Sequence, residues 1–502
     1  MNHQKEHDFF QSLKNNLIRH EKRNAFFINN VFYSYSELAQ SISNIRSIIK
    51  EKTNENEKII GLITNDDLET YAAILALWFE GKAYVPLNPS VPNERNQKII
   101  NEAGIITIID SSELTVFANF NTIESKKIKT VSLNLNPTES ADNNLVYLLF
   151  TSGTTGKPKG VPISKENLEG FLSAFWHLNY DITEEDRFLQ MFELTFDLSV
   201  MSFLIPLLSG SCIYLVPKDK IKYSYIIELM EEQELTVALM VPSMLYYLRP
   251  YFDEIDLPKM KYSLFCGEAL SLDITQEWSK CLPNSKITNV YGPTEDTIFC
   301  TFYDYKKLEP NKTYNGILSI GKSMLNNYSI IVDENNAILS AGKVGELCLG
   351  GVQLSSGYWK NEEKNQESFF YTNYNNRHER FYKTGDLCKI DEFGDLLYLG
   401  RMDFQIKIQG YRVELSEIEY YAKEFLSKIN VVVLTIIDHL GNNEVGMVIE
   451  SKKFDSKELL EFLKLKLPYY MVPKKVNFID NFPLNSNGKI DRKELETLFY
   501  NK

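Results

Sequence analysis

Leu145-Val-Tyr-Leu-Leu-Phe-Thr-Ser-Gly-Thr-Thr-Gly-Lys-Pro-Lys-Gly-Val161 is the stretch on which the reading of this chain turns. Its first part, Leu145 to Phe150, has the length and β-favouring content of a strand, and it empties into a loop of Thr, Ser and Gly with two lysines. Gly153, Gly156 and Gly160 permit positive φ, so backbone N–H groups can turn inward and form an anion nest. Thr151, Ser152, Thr154 and Thr155 add hydroxyl donors, and Lys157 and Lys159 add positive charge. The composition suits a phosphate cradle. It is not a Walker A loop: with Gly156-Lys157 in the Gly-Lys position, the first glycine falls on Thr151, and Pro158 replaces the Ser or Thr. Taken alone, the same residues equally describe a surface turn. The choice between the two rests on the remainder of the chain.

At 502 residues the chain exceeds what one hydrophobic core covers, so two or more domains are expected. A content of 44% hydrophobic and 24% charged residues is that of a globular protein. Met1 to Leu17 alternates charged and apolar residues and has no h-region, so no signal peptide is read there. The longest apolar run, Tyr71 to Phe79, is too short to span a bilayer. The six cysteines show no CxxC pairing or regular spacing and read as reduced thiols, mostly buried. A net charge of −13 argues against nucleic acid as the main partner. Residues 451–502 nevertheless hold eleven Lys/Arg against seven Asp/Glu. That basic piece could receive an acidic partner or a phosphate, or be a solvated face of mixed charge. The expectation is a cytoplasmic monomer with no membrane insertion.

Strand-like runs alternate with helix-like segments through the first three-quarters of the chain. Lys58 to Ile63, Ile105 to Ile109, Phe188 to Met191, Cys212 to Val216, Val237 to Val241 and Tyr262 to Phe265 read as strands. Asp67 to Glu80 and Tyr223 to Gln233 read as helices between them, the first closed by Gly81. This alternation predicts α/β layers with largely parallel sheets. From about 317 to 400, short strands with Gly and Asn turns predict an antiparallel β subdomain. Gly400-Arg-Met-Asp403 is the boundary candidate, and the roughly 100 residues beyond it read as a compact α+β unit.

In this order the residues resemble the adenylate-forming enzymes: acyl- and aryl-CoA synthetases, nonribosomal peptide synthetase adenylation domains and luciferases. Tyr33-Ser-Tyr-Ser-Glu-Leu38 and Gly81-Lys-Ala-Tyr-Val-Pro-Leu-Asn88 match two early signatures, and the loop 151–160 matches the phosphate loop. Asn289-Val-Tyr-Gly-Pro-Thr-Glu295 matches the nucleotide-binding turn. Gly345-Glu-Leu-Cys-Leu-Gly-Gly351, Gly357-Tyr-Trp359 and Tyr382-Lys-Thr-Gly-Asp386 continue the series. Gly400-Arg401 with Asp403, Gly410-Tyr-Arg-Val-Glu-Leu415 and Asn487-Gly-Lys489 close it. The resemblance implies a large N-terminal domain, residues 1–401, of two doubly wound α/β subdomains plus a β subdomain. It also implies a small mobile α+β domain, residues 402–502, hinged near Asp403.

The resemblance further implies ATP and Mg2+ as cofactors. A carboxylate would attack the α-phosphate, and a thiol would then take the acyl group from the adenylate. Such chemistry depends on positioning and on neutralising charge that builds on phosphate oxygens. ATP would be held by Thr151, Ser152, Gly153, Thr154, Thr155, Gly156, Lys157 and Lys159, and by Asn289, Val290, Tyr291, Gly292, Pro293 and Thr294. Asp386, Tyr398, Arg401 and Lys489 complete that set. Glu295 matches the magnesium carboxylate. Tyr291 offers a face for adenine, and Asp386 can accept the ribose hydroxyls. Lys489, Arg401 and Thr151 would be catalytic. Each residue also has a plain reading: a Lys-Thr-Gly-Asp turn often caps its own backbone, and a Tyr-Gly-Pro is often a rigid turn.

Substrate identity is carried by Phe192-Glu-Leu-Thr-Phe-Asp-Leu-Ser-Val-Met-Ser-Phe203. In amino-acid-activating members the Asp of Phe-Asp-x-Ser-Val pairs with the substrate α-ammonium, and here that is Asp197. The plain alternative is a helix N-cap. By the same match Leu198, Met201, Leu239, Leu264, Cys266, Val290, Ile298 and Phe299 line the side-chain pocket, with Lys489 also contacting the substrate. No second charge appears among the lining residues, so a small or apolar side chain is expected. Leu264-Phe-Cys-Gly-Glu268 and Phe404-Gln-Ile-Lys407 look most like D-alanine–D-alanyl carrier protein ligases, and a free-standing chain of this length fits them. Leu239, Val290 and Phe299 are bulkier than that group implies, which keeps glycine, L-alanine, serine and proline open. The implied partner is a separate phosphopantetheinylated carrier protein. An acyl- or aryl-CoA synthetase and a non-catalytic binding protein of the same fold are the competing readings.

Overall fold

The structure, a computed structural model, describes residues 8–113, 117, 119–139, 141, 143–153, 157–403, 405–427, 429–483 and 490–500. The chain divides into two compact units. The first comprises Met1–Asn88, Ile100–Leu149 and Gly160–Met402, and the second Pro89–Ile99, Phe150–Lys159 and Asp403–Lys502.

Helix Leu68–Phe79 shows how sequence builds the first unit. Asp67 caps it, its side chain accepting from Thr70 N at 3.0 Å. Every residue of the helix except Glu69 is buried, as an all-round apolar helix must be. Trp78 Nε1 donates to Val146 O at 2.8 Å, which ties the helix to the strand that leads into the Thr/Ser/Gly loop.

Two large sheets carry the unit. One has six strands in the order Asn121–Glu124, Thr107–Asp110, Ile59–Ile63, Ala83–Leu87, Leu145–Thr151 and Lys159–Ser164, the first five mutually parallel. The other has nine, in the order Lys322–Ser323, Thr301–Asp304, Lys286–Tyr291, Tyr262–Phe265, Val237–Met240, Arg187–Gln190, Cys212–Leu215, Asn24–Ile28 and Val31–Ser34. Its central six strands, Lys286–Tyr291 through Asn24–Ile28, are parallel, and its edges are antiparallel. Parallel strands are apolar on both faces and need helices over both. The expected α/β class follows from that pattern and is what the fold shows. An antiparallel five-stranded sheet, Asn327–Val332, Val344–Gly351, Arg377–Ile390, Phe369–Tyr374 and Leu396–Arg401, forms the β subdomain.

In the second unit, strands Gln405–Ile408 and Tyr411–Glu414 form a hairpin. Gln409 and Gly410 turn it at φ 50° and 82°, both positive as a two-residue hairpin loop prefers. Helix Leu415–Leu426, the three-stranded sheet Val431–Ile437, Asn443–Glu450 and Lys475–Ile479, and helices Lys457–Lys466 and Arg492–Tyr500 complete an α+β fold. Pro89–Ile99 and Phe150–Lys159 join it through side-chain contacts. Arg95 pairs with the buried Glu417 at 2.7 Å, and Lys466 pairs with Glu94 at 2.8 Å.

Candidate active site

Ligand crevices in parallel α/β sheets lie beyond the carboxyl ends of the strands. In the nine-stranded sheet, Arg187–Gln190 runs into the loop ending at Asp197, and Tyr262–Phe265 runs into Cys266. Lys286–Tyr291 runs into the turn Gly292 to Ile298. These strands are joined through Val237–Met240 in parallel register, Leu239 to Leu264 to Thr288. Asp197, Cys266 and the 292–298 turn therefore emerge at one end of one sheet. Met201, Leu239, Leu264, Cys266, Val290, Ile298 and Phe299 are all at most 2% exposed and belong to one apolar cluster with Leu198.

Asp197 stands at the N-cap position of helix Leu198–Ser209, yet its side chain makes no capping bond. Its Oδ2 accepts instead from Ile298 N at 3.2 Å, across a hundred residues of sequence. The carboxylate is 5% exposed. Its charge reaches the six-stranded sheet too: burial first, then Asp197, pushes the phenol pKa values of Tyr84 and Tyr147 up, and both rings are fully buried.

The turn that follows strand Lys286–Tyr291 is closely packed. A Cβ on Gly292 would lie 2.4 Å from Phe299 Cα, so only glycine lets the two arms approach. Tyr291 OH donates to Asp386 Oδ2 at 2.5 Å, and Arg401 Nη1 donates to Asp386 Oδ1 at 2.8 Å and to Thr384 O at 2.7 Å. Asp386 and Arg401 meet because they are cross-strand partners on Arg377–Ile390 and Leu396–Arg401. Tyr291 and Tyr398 pack against the same small apolar cluster. Three residues taken from separate motifs thus form one contact group. Asn289 is used structurally, its Nδ2 donating to Ser319 O at 2.9 Å.

Glu295 is fully buried, and its Oε1 accepts from Tyr358 OH at 2.6 Å. Tyr358 and Tyr382 hydroxyls lie 3.2 Å apart. Next to it, burial pushes the Asp296 carboxyl up to about 7, with Glu295 adding to the shift. Neither of its carboxyl oxygens has a hydrogen-bond partner among the described residues. Tyr358 and Tyr382 were visible in the sequence as parts of motifs, but spacing gives no hint that the Tyr358 hydroxyl reaches Glu295 or that the Tyr382 hydroxyl reaches Tyr358.

The loop after Leu145–Phe150 belongs to the second unit over 150–159. Gly153 is required there: a Cβ would lie 2.1 Å from Lys157 O. Thr151 Oγ1 donates to Lys159 O at 3.4 Å, Ser152 Oγ donates to Arg412 O at 2.8 Å, and Lys159 Nζ pairs with Glu414 at 3.4 Å. Lys157 is exposed. Asp403 Oδ1 accepts from Gln405 N at 3.1 Å at the start of the hairpin. Thr154, Thr155, Gly156 and Lys489 lie outside the described residues. All six cysteines are free thiols, five of them buried. No described helix is long and apolar enough to cross a membrane.

Tyrocidine synthase 1 of Brevibacillus parabrevis is 31% identical to the chain over 483 residues, 94% of this chain and 43% of that protein. Gramicidin S synthase 1 of Brevibacillus brevis is 32% identical over 475 residues, 92% of this chain and 42% of its own length. The chain thus spans less than half of either relative. Among solved structures, the adenylation domain AlmE of Vibrio cholerae, in complex with glycyl-adenosine-5'-phosphate, shares the fold. Its TM-score is 0.85 at 23% identity, with 100% of this chain and 99% of that one covered. The sequence profile described as AMP-binding enzyme matches residues 13–359, which takes in the strand ends, the 289–295 turn and Asp197. The chain belongs to the AMP-binding enzyme family, within the adenylate-forming superfamily.

Proposed function

We propose that the protein activates a small or apolar amino acid with ATP as an aminoacyl-adenylate, and passes it to the phosphopantetheine thiol of a carrier protein. One observation carries the reading. Asp197 is a buried carboxylate next to an apolar cluster of side chains, and it does not cap the helix it precedes. A buried carboxylate favours a cation placed against it, and an α-ammonium is such a cation. The apolar lining then admits a short uncharged side chain. D-Alanine is the leading member of that class on the Leu264-Phe-Cys-Gly-Glu268 pattern, with glycine, L-alanine, serine and proline as neighbours. The glycyl-adenosine-5'-phosphate held by AlmE supports a small amino acid, and the tyrocidine and gramicidin S synthases among the relatives support amino-acid activation without indicating side-chain size.

Tyr291, Asp386 and Arg401 would receive the nucleoside. Asp386 already engages both of its neighbours, so ribose hydroxyls would share lone pairs with them. Thr151, Ser152 and Lys157 would clamp the departing phosphates together with Lys159, whose pairing with Glu414 makes that charge contested. The role of Lys489 rests on its Asn-Gly-Lys motif: a point charge for the reacting oxygens. Glu295 fits Mg2+. Among the described residues no group of three or more His, Cys, Asp or Glu side chains could hold a metal. A single hard carboxylate held by Tyr358 suits an ion that takes most of its shell from phosphate and water. When bound, that ion would neutralise phosphate charge.

Amino-acid-dependent ATP–pyrophosphate exchange tests the reading, with D-alanine, L-alanine and glycine run side by side against the other amino acids, a fatty acid and an aryl acid. Exchange with a small amino acid is expected. Exchange only with a fatty or aryl acid would replace the reading with an acyl- or aryl-CoA synthetase. No exchange with any acid would point to a binding protein.

A further inference from the structure

Gln353 follows strand Val344–Gly351, and none of the proposed chemistry uses it. Its carboxamide is fully buried, which is unfavourable unless its donors and acceptor are matched. They are. Nε2 donates to the carbonyl oxygens of Asp296 at 3.3 Å, Thr297 at 3.0 Å and Phe299 at 2.9 Å. Oε1 accepts from Asn327 Nδ2 at 2.6 Å, which fixes the orientation of the amide. The Gln353 carbonyl accepts from Thr297 Oγ1 at 2.6 Å. Five hydrogen bonds thus run through one residue, four of them to a single turn.

That turn is one that L residues resist. Thr297 and Ile298 have φ of 49° and 73°, and both are β-branched and buried. Two successive β-branched residues in the left-handed region persist only where the surroundings over-determine them. Relaxing either residue would rotate the 297–298 peptide, and with it the Ile298 N–H that reaches Asp197 Oδ2 at 3.2 Å.

We infer that Gln353 is a positioning residue for amino-acid recognition. Without touching substrate, it locks the left-handed 297–298 turn so that the Ile298 N–H holds Asp197 in the orientation that receives an α-ammonium. The inference rests on the amino-acid reading of Asp197. It also assigns the loop that follows strand Val344–Gly351 a part in substrate selection.

The test is Gln353→Met, which keeps the length of the side chain and removes its hydrogen bonds. KM for the amino acid and for ATP are measured separately by pyrophosphate exchange, in the wild-type and Asp197→Asn backgrounds. A lost hydrogen-bond set that acts through a charged group should raise the amino-acid KM about tenfold or more. ATP KM should stay within about twofold, and the change should add little once Asp197 is neutral. An unchanged amino-acid KM, equal rises for both substrates, or full additivity with Asp197→Asn would overturn the inference. Should Gln353→Met lack a cooperative melt, Asn327→Ala decides instead, because it leaves the carboxamide in place but unoriented. A rise of about threefold in amino-acid KM alone is then expected, and no rise refutes it. Wild-type protein without amino-acid-dependent exchange would mark failure of the functional reading, a separate outcome.

Discussion

Asp197 occupies the first position before a helix, where a carboxylate usually binds the helix's own N–H groups. It binds Ile298 N instead. A side chain diverted from local to long-range use is held for something, and burial at 5% exposure makes its charge felt. Truncating one partner of a buried ion pair costs roughly 3–5 kcal/mol. Asp197→Ala should therefore lower kcat/KM for the amino acid by at least about a hundredfold while leaving ATP KM nearly unchanged. Pyrophosphate exchange with each substrate varied in turn checks it, and an amino-acid activity insensitive to the change would remove Asp197 from the substrate site. Residue types told much at this scale, because Asp197, Glu295, Asp386 and Arg401 are charged groups in recognisable contexts. Partners were hidden: no spacing links Tyr358 to Glu295 across 63 positions, or Gln353 to Thr297 across 56.

The hairpin formed by Lys286–Tyr291 and Thr301–Asp304, with the tight 292–300 turn between them, is the element on which most of the candidate site depends. It presents Tyr291 towards Asp386, buries Glu295, and delivers Ile298 to Asp197. Its two arms close because Gly292 has no side chain, and Cys300 N donates to Tyr291 O at 2.9 Å across the gap. Gly292→Ala should force the arms apart, since backbone atoms rather than a flexible side chain stand in the way. A lower melting temperature, by several degrees, is expected from a steric insertion worth roughly 1–3 kcal/mol. Calorimetry of the ligand-free protein checks it, and an unchanged melt would mean the turn is looser than its packing implies. Strands and helices at this scale were legible because parallel strands appear as short apolar runs and capped helices announce their ends. The left-handed 297–298 pair was not: β-branched residues in sequence argue for extended backbone.

The two units carry different halves of the proposed chemistry. Nucleoside and amino-acid residues belong to the first, and Lys489 with the hairpin at 405–414 to the second. We propose that the second unit turns about Asp403 between adenylation, which calls on Lys489, and thioester formation. Such reorientations are absorbed by one or two backbone positions. Asp403 is the first residue of the C-terminal stretch, and its carboxylate already holds Gln405 N at 3.1 Å. Asp403→Pro fixes φ there and removes an N–H. It should slow thioester formation onto a carrier protein more than it slows pyrophosphate exchange. Equal loss in both half-reactions would indicate misfolding rather than a blocked hinge.

By itself the sequence determined the α/β class, the run of motifs from the 145–161 stretch to Lys489, and the family to which the chain belongs. Those are properties of local composition and order, which one dimension records fully. Tertiary structure alone decided how the motifs meet: that Asp386 sits between Tyr291 and Arg401, that Lys159 is paired with Glu414, and that Asp197 answers to Ile298 rather than to its own helix. These pairings depend on strand order and register in sheets whose neighbours are distant in sequence. A hydrogen bond between residues a hundred positions apart leaves no periodicity for a sequence to show.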